Sequence, residues 1–292
     1  MRPVTAWIAA ARPRTLGLSL SPVVVGTALG VSDTGEFHAA PFVSALAAAL
    51  AIQIGTNLHN DVADHLRGID GADRLGPPRA TAQGWLSPRA VGRGAWTAFG
   101  VAFLFGAYLV WWGGTPILLL GLASLAAAFA YSGGPRPLSA LPLGELFVFL
   151  FFGLAAVAGS DYLQTGAFRG RALLAGVVMG LPAAAVLVVN NHRDRETDRR
   201  AGRRTLSVLL PLAADVGLYA LLILSPFALL PLLLSGWPLL LPLALLPAAS
   251  MLVIRMRRAR GPALNGVLAA TARLQTLLGL ALAGAFLLAR GW

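Results

Sequence analysis

NLHNDVADHLRGIDGAD, residues 57–73, follows an apolar run long enough to cross a bilayer and carries Asp61, Asp64, Asp70 and Asp73. A second stretch, NNHRDRETDRRAGRRT at 190–205, follows another such run and carries Asp194, Glu196 and Asp198. The chain has only 12 acidic residues, and seven of them sit in these two places. Carboxylates gathered at the ends of two membrane-length segments decide the fold class: an all-α polytopic membrane protein that holds something positive at one surface.

Composition agrees. Only 12% of the 292 residues are charged and 57% are hydrophobic, with a mean hydropathy of +0.72, whereas soluble domains carry about 25% charged residues. The absence of cysteine removes disulfides, thiolate ligands and cysteine nucleophiles. The chain also contains no lysine, so the net charge of +11 rests on arginine, and Schiff-base chemistry is excluded. A pI near 11.6 would suit nucleic acid, but the placement of the arginines points to a bilayer and no nucleic-acid partner is expected.

Nine apolar segments reach the length needed for a hydrocarbon core of roughly 30 Å. They fall near 14–31, 39–58, 95–112, 116–132, 143–160, 172–191, 212–234, 237–254 and 266–289. The first is expected to be a membrane helix rather than a cleaved leader, and residues 1–292 to form a single domain. Nineteen of the 23 arginines then fall on one side, in the N-terminal segment and in the connections after the second, fourth, sixth and eighth segments. By the positive-inside rule that side is cytoplasmic. The expectation is a multi-pass protein of the cell membrane with its N-terminus and both acidic stretches inside. Most of these arginines need only a topological or lipid-headgroup role. Trp111, Trp112, Trp237 and Trp292 read as interfacial rings, and Gly153, Gly159, Gly176 and Gly180 as sites of close helix packing.

At about 100° per residue, Asn57, Asn60, Asp61 and Asp64 share one helical face, and Asn190, Asn191, Asp194 and Asp198 share a similar arc. His59 and His192 each lie about 200° from the first Asn of their stripe and point away from it. Carboxylates one turn apart repel by roughly 3 kcal/mol at an effective dielectric of about 20. Two readings offset this. One is ion pairing with nearby arginines such as Arg67, Arg193 and Arg195; the other is a hard divalent cation, Mg²⁺ above all, bridging the carboxylates to a diphosphate clamped by guanidinium groups. A membrane site for an anionic diphosphate, backed by apolar helices, points to a lipid diphosphate as substrate. Asp70 lies beyond Gly68, where the helix is expected to end, so only a folded-back loop would bring it to the metal.

These residues resemble the UbiA superfamily of intramembrane prenyltransferases. Asn60-Asp61-Val62-Ala63-Asp64 is similar to its first motif and Asp194-Arg195-Glu196-Thr197-Asp198 to its second. ARPRTLGLSLSPVVVGTALG at 11–30, RLGPPRA at 74–80, YSGGPRPLSALPLGE at 131–145 and NNHRDRETDRRAGRRTLSV at 190–208 resemble its 1,4-dihydroxy-2-naphthoate polyprenyltransferase branch. One departure stands out: Gly68 occupies the place of a common superfamily Asp, with Asp70 two residues on. The resemblance implies a bundle of nine membrane helices and transfer of a prenyl group from polyprenyl diphosphate to 1,4-dihydroxy-2-naphthoate. Diphosphate and CO₂ leave, and the product feeds menaquinone synthesis.

It further implies that Asn60, Asp61, Asp64, Asp194 and Asp198 hold Mg²⁺, with Mn²⁺ as an alternative, and do the catalytic work with the diphosphate. Arg67, Arg193 and Arg203 would contact phosphate, Asn57, Asn190 and Asn191 would support this shell, and Arg79 and Asp70 would join the substrate-binding set, the part of Asp70 depending on its loop. Tyr131 and Glu145 would line the acceptor pocket, against plainer roles as an interfacial ring and a helix-start residue. Two rival expectations are a family member using 4-hydroxybenzoate or homogentisate, and a transporter of cations or anionic lipids. Transporters place ionisable groups near the bilayer midplane; here Arg273 is the only clearly intramembrane charge.

Overall fold

Proline and glycine set the joints of the bundle. A computed structural model describes residues 2–68, 74–134 and 137–289, and among them there is no strand. The helices are α1 (Pro3–Ala11), α2 (Gly17–Thr34), α3 (Ala39–Leu66), α4 (Pro88–Ser132), α5 (Gly144–Thr165), α6 (Gly170–Arg200), α7 (Leu212–Leu232), α8 (Trp237–Arg258) and α9 (Gly261–Ala289). Among the described residues, seven, α3 to α9, are long and apolar enough to cross a membrane, and the bent pair Pro3–Thr15 and Gly17–Thr34 makes an eighth. The chain is therefore a multi-pass helical membrane protein.

Two joints differ from the sequence expectation or sharpen it. Residues 3–11 form a helix ahead of the expected first span, because Pro13 disfavours helical backbone at Arg12 and the chain bends by 49° there. Arg12 itself takes φ 55°, the one non-glycine residue with positive φ among those described. In α4 the helix is interrupted at Gly114, whose φ of 70° and ψ of −157° only glycine adopts without strain. The rings of Trp96 and Phe129 lie 6.1 Å apart across this break, although a straight helix would hold them about 50 Å apart. The element is a hairpin of two antiparallel arms, folded at the Gly113–Pro116 link.

α6 is the central helix, with 72% of its apolar window buried against 11% for α4. Its glycines permit this. A Cβ on Gly153 would lie 2.5 Å from Gly176 O and from Gly180 Cα, so α5 and α6 cross backbone to backbone, and α5 relaxes into a π turn over Leu150–Ala155 at that point. Gly26 of α2 presses equally closely on the Val157 carbonyl of α5. Val25, Leu29, Met179, Tyr219, Ile223, Leu278 and Phe286 fill the core between α2, α5, α6, α7 and α9.

At the end away from the acidic stretches, a charge network ties four elements. Arg169 donates to Asp161 (2.9 Å from Nε) and to Asp33 (2.6 Å), and Arg171 donates to Asp33 (2.7 Å) and to the Leu233 carbonyl (3.0 Å) while lying 5.3 Å over the Phe286 ring. The hydrogen bond that Arg169 donates to fully buried Asp161 keeps its guanidinium above the ordinary pKa. These are two of the few arginines that break the one-sided distribution, and carboxylate partners account for both.

Candidate active site

Both acidic stretches are helical continuations beyond the expected spans: α3 runs on to Leu66 and α6 to Arg200. Each therefore carries its aspartates on a rigid rod. Asp61 accepts from the backbone N–H groups of Ala80 (3.0 Å) and Thr81 (3.1 Å) and from the Thr81 hydroxyl, so the segment after Arg74 folds back over the end of α3. Asp64 accepts from Arg79 on one oxygen (2.6 Å) and from Arg203 on the other (2.7 Å). Arg203 also donates to Asp198 (3.3 Å), joining α3 to α6. Burial works against the Arg203 charge, but Asp64 and Asp198 outweigh it and raise its pKa above the ordinary value.

On α6, Arg193 grips Asp194 through two nitrogens (2.8 and 2.6 Å), and also donates to Asn190 (2.9 Å) and to Asn265 of α9 (2.8 Å). Asn265 donates onward to the Leu75 carbonyl (2.8 Å). Asn57 donates to the Ala11 carbonyl (2.9 Å), pinning the α1 end beside the Arg12 bend.

A cavity of about 1040 Å³ opens beneath these groups. Asn57, Asn60, Asp61, Asp64, Arg79, Tyr131, Asn190, Asn191, Arg193, Asp194, Asp198 and Arg203 all line it, so the structure brings together most of the residues that the sequence singled out. Its far end reaches Leu109, Ile117 and Leu163, and its wall along α3 runs through Ile52, Ala48 and Ala45.

Three expectations fall outside this arrangement. Arg67 is exposed at the end of α3 and does not line the cavity; its guanidinium donates to the Ser132 and Gly134 carbonyls (2.8 and 2.9 Å), because the side chain leaves α3 toward the end of α4. Glu145 is buried one layer behind the wall, accepting from Asn191 (2.8 Å), with its second oxygen unpartnered among the described residues. Asp70 lies outside the described residues. The histidines point away as expected: His59 packs 5.0 Å from the Phe129 ring, and His192 meets Asp215.

Arg12, Arg74 and Asn265 line the cavity and were not singled out. Arg12 has a buried Nη2 with no hydrogen-bond partner among the described residues. Both arginines lie in stretches that carry the family resemblance, yet read as loop arginines they looked topological. Asn265 had no local signal, since only the packing of the last helix brings it to Arg193.

The four carboxylates are held by arginines and backbone N–H groups, and among the described residues no group of three or more acids and histidines is spaced to hold a metal ion. Ion pairing, the first of the two readings, is what this arrangement displays. The donor set nonetheless fits a metal-bridged anion better than a bare cation. Six arginines and four aspartates line the cavity, and the Arg12 nitrogen without a partner is suited to an anionic oxygen. Hard carboxylate and amide oxygens suit Mg²⁺.

A polytopic helical bundle with an acid–guanidinium site over an apolar cavity defines a class of membrane enzyme acting on an anionic lipid. The UbiA prenyltransferase family pattern matches residues 19–267. The chain belongs to that family and is a prenyltransferase. The 1,4-dihydroxy-2-naphthoate octaprenyltransferase of Mycobacterium leprae is 34% identical over 97% of this chain and 96% of its own. The one from Mycobacterium tuberculosis is 39% identical over 70% of this chain and 69% of its own. The fold is shared with a UbiA homolog from Aeropyrum pernix K1, with TM-score 0.73 and 19% identity over 91% and 96% of the two chains. It is shared also with a UbiA homolog from Archaeoglobus fulgidus bound to GPP and Mg²⁺, with TM-score 0.71 and 17% identity over 97% and 99%.

Proposed function

We propose that this protein transfers a polyprenyl group from polyprenyl diphosphate to 1,4-dihydroxy-2-naphthoate, releasing diphosphate and CO₂ and yielding demethylmenaquinol for menaquinone synthesis. The observation that carries the reading is the pair of facing acid–guanidinium clusters, stitched by Arg203, at one end of a mainly apolar cavity. Relatives named 1,4-dihydroxy-2-naphthoate octaprenyltransferase from several bacteria support the acceptor and the long tail. The whole of 1–292 acts as one domain with nine crossings, the α4 hairpin supplying two. Its N-terminus and active site face the cytoplasm of a cell-membrane protein.

In this reading Asn60, Asp61, Asp64, Asp194 and Asp198 hold Mg²⁺, with Mn²⁺ as a substitute. The bound metal supplies charge neutralisation that makes diphosphate a better leaving group. Arg79, Arg193 and Arg203, together with Arg12 and Arg74, take the phosphate oxygens and stabilise the negative charge that builds as the allylic C–O bond breaks. Asn57, Asn190 and Asn191 orient this shell. The apolar wall keeps water from the cationic carbon, so the electron-rich naphthoate ring is the nucleophile that reaches it. The new C–C bond forms at the ring carbon that then loses its carboxyl group. Tyr131 on the wall, and Glu145 acting through Asn191, define the acceptor side.

The test is a mass spectrum of the product made by purified protein from polyprenyl diphosphate and each of three acceptors. Demethylmenaquinol from the naphthoate is expected; preferential turnover of 4-hydroxybenzoate or homogentisate would overturn the acceptor assignment. Asp61→Ala and Asp194→Ala are expected to abolish turnover while the protein still inserts, and near-normal rates in either would sink the metal assignment.

A further inference from the structure

Behind the aspartate face of α6 lies a second polar cluster that the reaction does not use. His192 Nδ1 lies 2.6 Å from Asp215 Oδ2, and the Ser207 hydroxyl donates to Asp215 Oδ1 at 2.9 Å. The three residues come from α6, the start of α7 and the helical turn Leu206–Leu209 between them. Asp215 and Ser207 are fully buried and the His192 side chain is 5% exposed. None of them lines the cavity. One turn further along the same face of α6, Arg195 donates to the Leu210 carbonyl at 2.7 Å. The helix end that carries Asp194 and Asp198 is thus tied from behind to the 207–215 segment at two levels.

A completely buried carboxylate is costly unless its oxygens are hydrogen-bonded, and apolar side chains of similar volume would hold two helices together as well or better. What a directional tie adds is a fixed rotation and height for the helix. That matters here, because a rotation of about 20° moves a carboxylate oxygen about 6 Å from the helix axis by about 2 Å, while Mg²⁺ demands ligands at 2.0–2.1 Å. Arg193 and Arg203 hold the aspartates from the cavity side, where an anionic ligand would compete for the same guanidinium groups; the rear tie faces away from the cavity.

We propose that His192, Asp215 and Ser207 form a positioning device that fixes the rotation of the α6 end, and so the approach of Asp194 and Asp198 to the metal-bound diphosphate. The proposal rests on the reading of those two aspartates as metal ligands. With its proton on Nδ1, His192 donates to Asp215, and an asparagine amide nitrogen at 192 can take its place. His192→Leu, His192→Asn, Ser207→Ala, Asp194→Asn and Ile223→Ala are compared as purified full-length protein, with Mg²⁺ titrations at saturating prenyl diphosphate and naphthoate. Ile223 is a buried α7 residue away from the cluster and controls for general loosening of the bundle.

His192→Leu is expected to raise the Mg²⁺ concentration for half-maximal rate about tenfold and to lower kcat, Ser207→Ala to do so more weakly, and His192→Asn to recover most of both. Ile223→Ala should lower the melting temperature with the metal dependence unchanged. The proposal is overturned if His192→Leu keeps the wild-type metal dependence, or if His192→Asn recovers nothing, or if Ile223→Ala shifts the metal dependence equally. Wild-type turnover by Asp194→Asn would instead refute the metal reading beneath it.

Discussion

At the residue scale, Arg203 and Arg12 separate charge pairing from backbone cost. Arg203 is the only side chain in the described structure seen to pair with Asp198, and it shares Asp64 with Arg79. Arg203→Met strands a buried carboxylate, a loss of about 3 kcal/mol, and should reduce turnover at least a hundredfold; thermal melts and product assays on the same preparation check both. Arg12 has the opposite balance. Its left-handed backbone costs about 1–2 kcal/mol in a residue with a Cβ, a cost that glycine avoids. Arg12→Gly should therefore leave the melting temperature equal or higher while raising KM for prenyl diphosphate about tenfold. Arg67 gives the contrast, since its guanidinium serves the Ser132 and Gly134 carbonyls. Arg67→Ala should keep turnover within about twofold of wild type, and a hundredfold loss would return Arg67 to the phosphate site.

At the scale of elements, the α5–α6 crossing carries the bundle. A side chain at Gly153 meets backbone atoms, which cannot move aside as a flexible side chain would. Gly153→Val should cost more than about 3 kcal/mol, at the upper end of overpacking penalties. Gly217→Ala on α7, where nothing lies within 4 Å of the added carbon, should be neutral or stabilising by up to about 1 kcal/mol; detergent melts of the two variants decide. Elements were also where the sequence spoke most clearly. Apolar length marked the helices, and the 100° period placed Asn57, Asn60, Asp61 and Asp64 on the face that does line the cavity. Glycines lying inside apolar segments flagged Gly153, Gly159, Gly176 and Gly180 as packing sites. Local pattern could not reveal contacts made by distant segments: the Ala80 and Thr81 amides on Asp61, Asn265 on Arg193, or the pairing of His192 with Asp215. Nor could it choose among arginines. Arg12, Arg67 and Arg79 are equally loop-like in sequence, and their roles follow from which way each chain leaves its helix end.

At the scale of the whole molecule, charge is divided between the two ends of the bundle and the apolar cavity runs between them. From Asp61 to Ala45 the cavity follows α3 for about 24 Å, long enough to enclose several isoprene units. Ala48→Phe would intrude on that wall, so transfer from long polyprenyl diphosphates should fall more than tenfold while a two-isoprene diphosphate is still used. At the opposite end, Arg169→Ala leaves buried Asp161 without its guanidinium and should cost about 3 kcal/mol with kcat intact at low temperature. The hydrogen bonds of Asn265 carry a further implication. Arg193 is held by a residue near the start of α9, which in turn grips Leu75 near the first acidic stretch. A ribosome makes Asn265 after both acidic stretches and after α1 to α8, so the hold on Arg193 is completed late in the order of synthesis, by a helix that meets a segment made some 190 residues earlier.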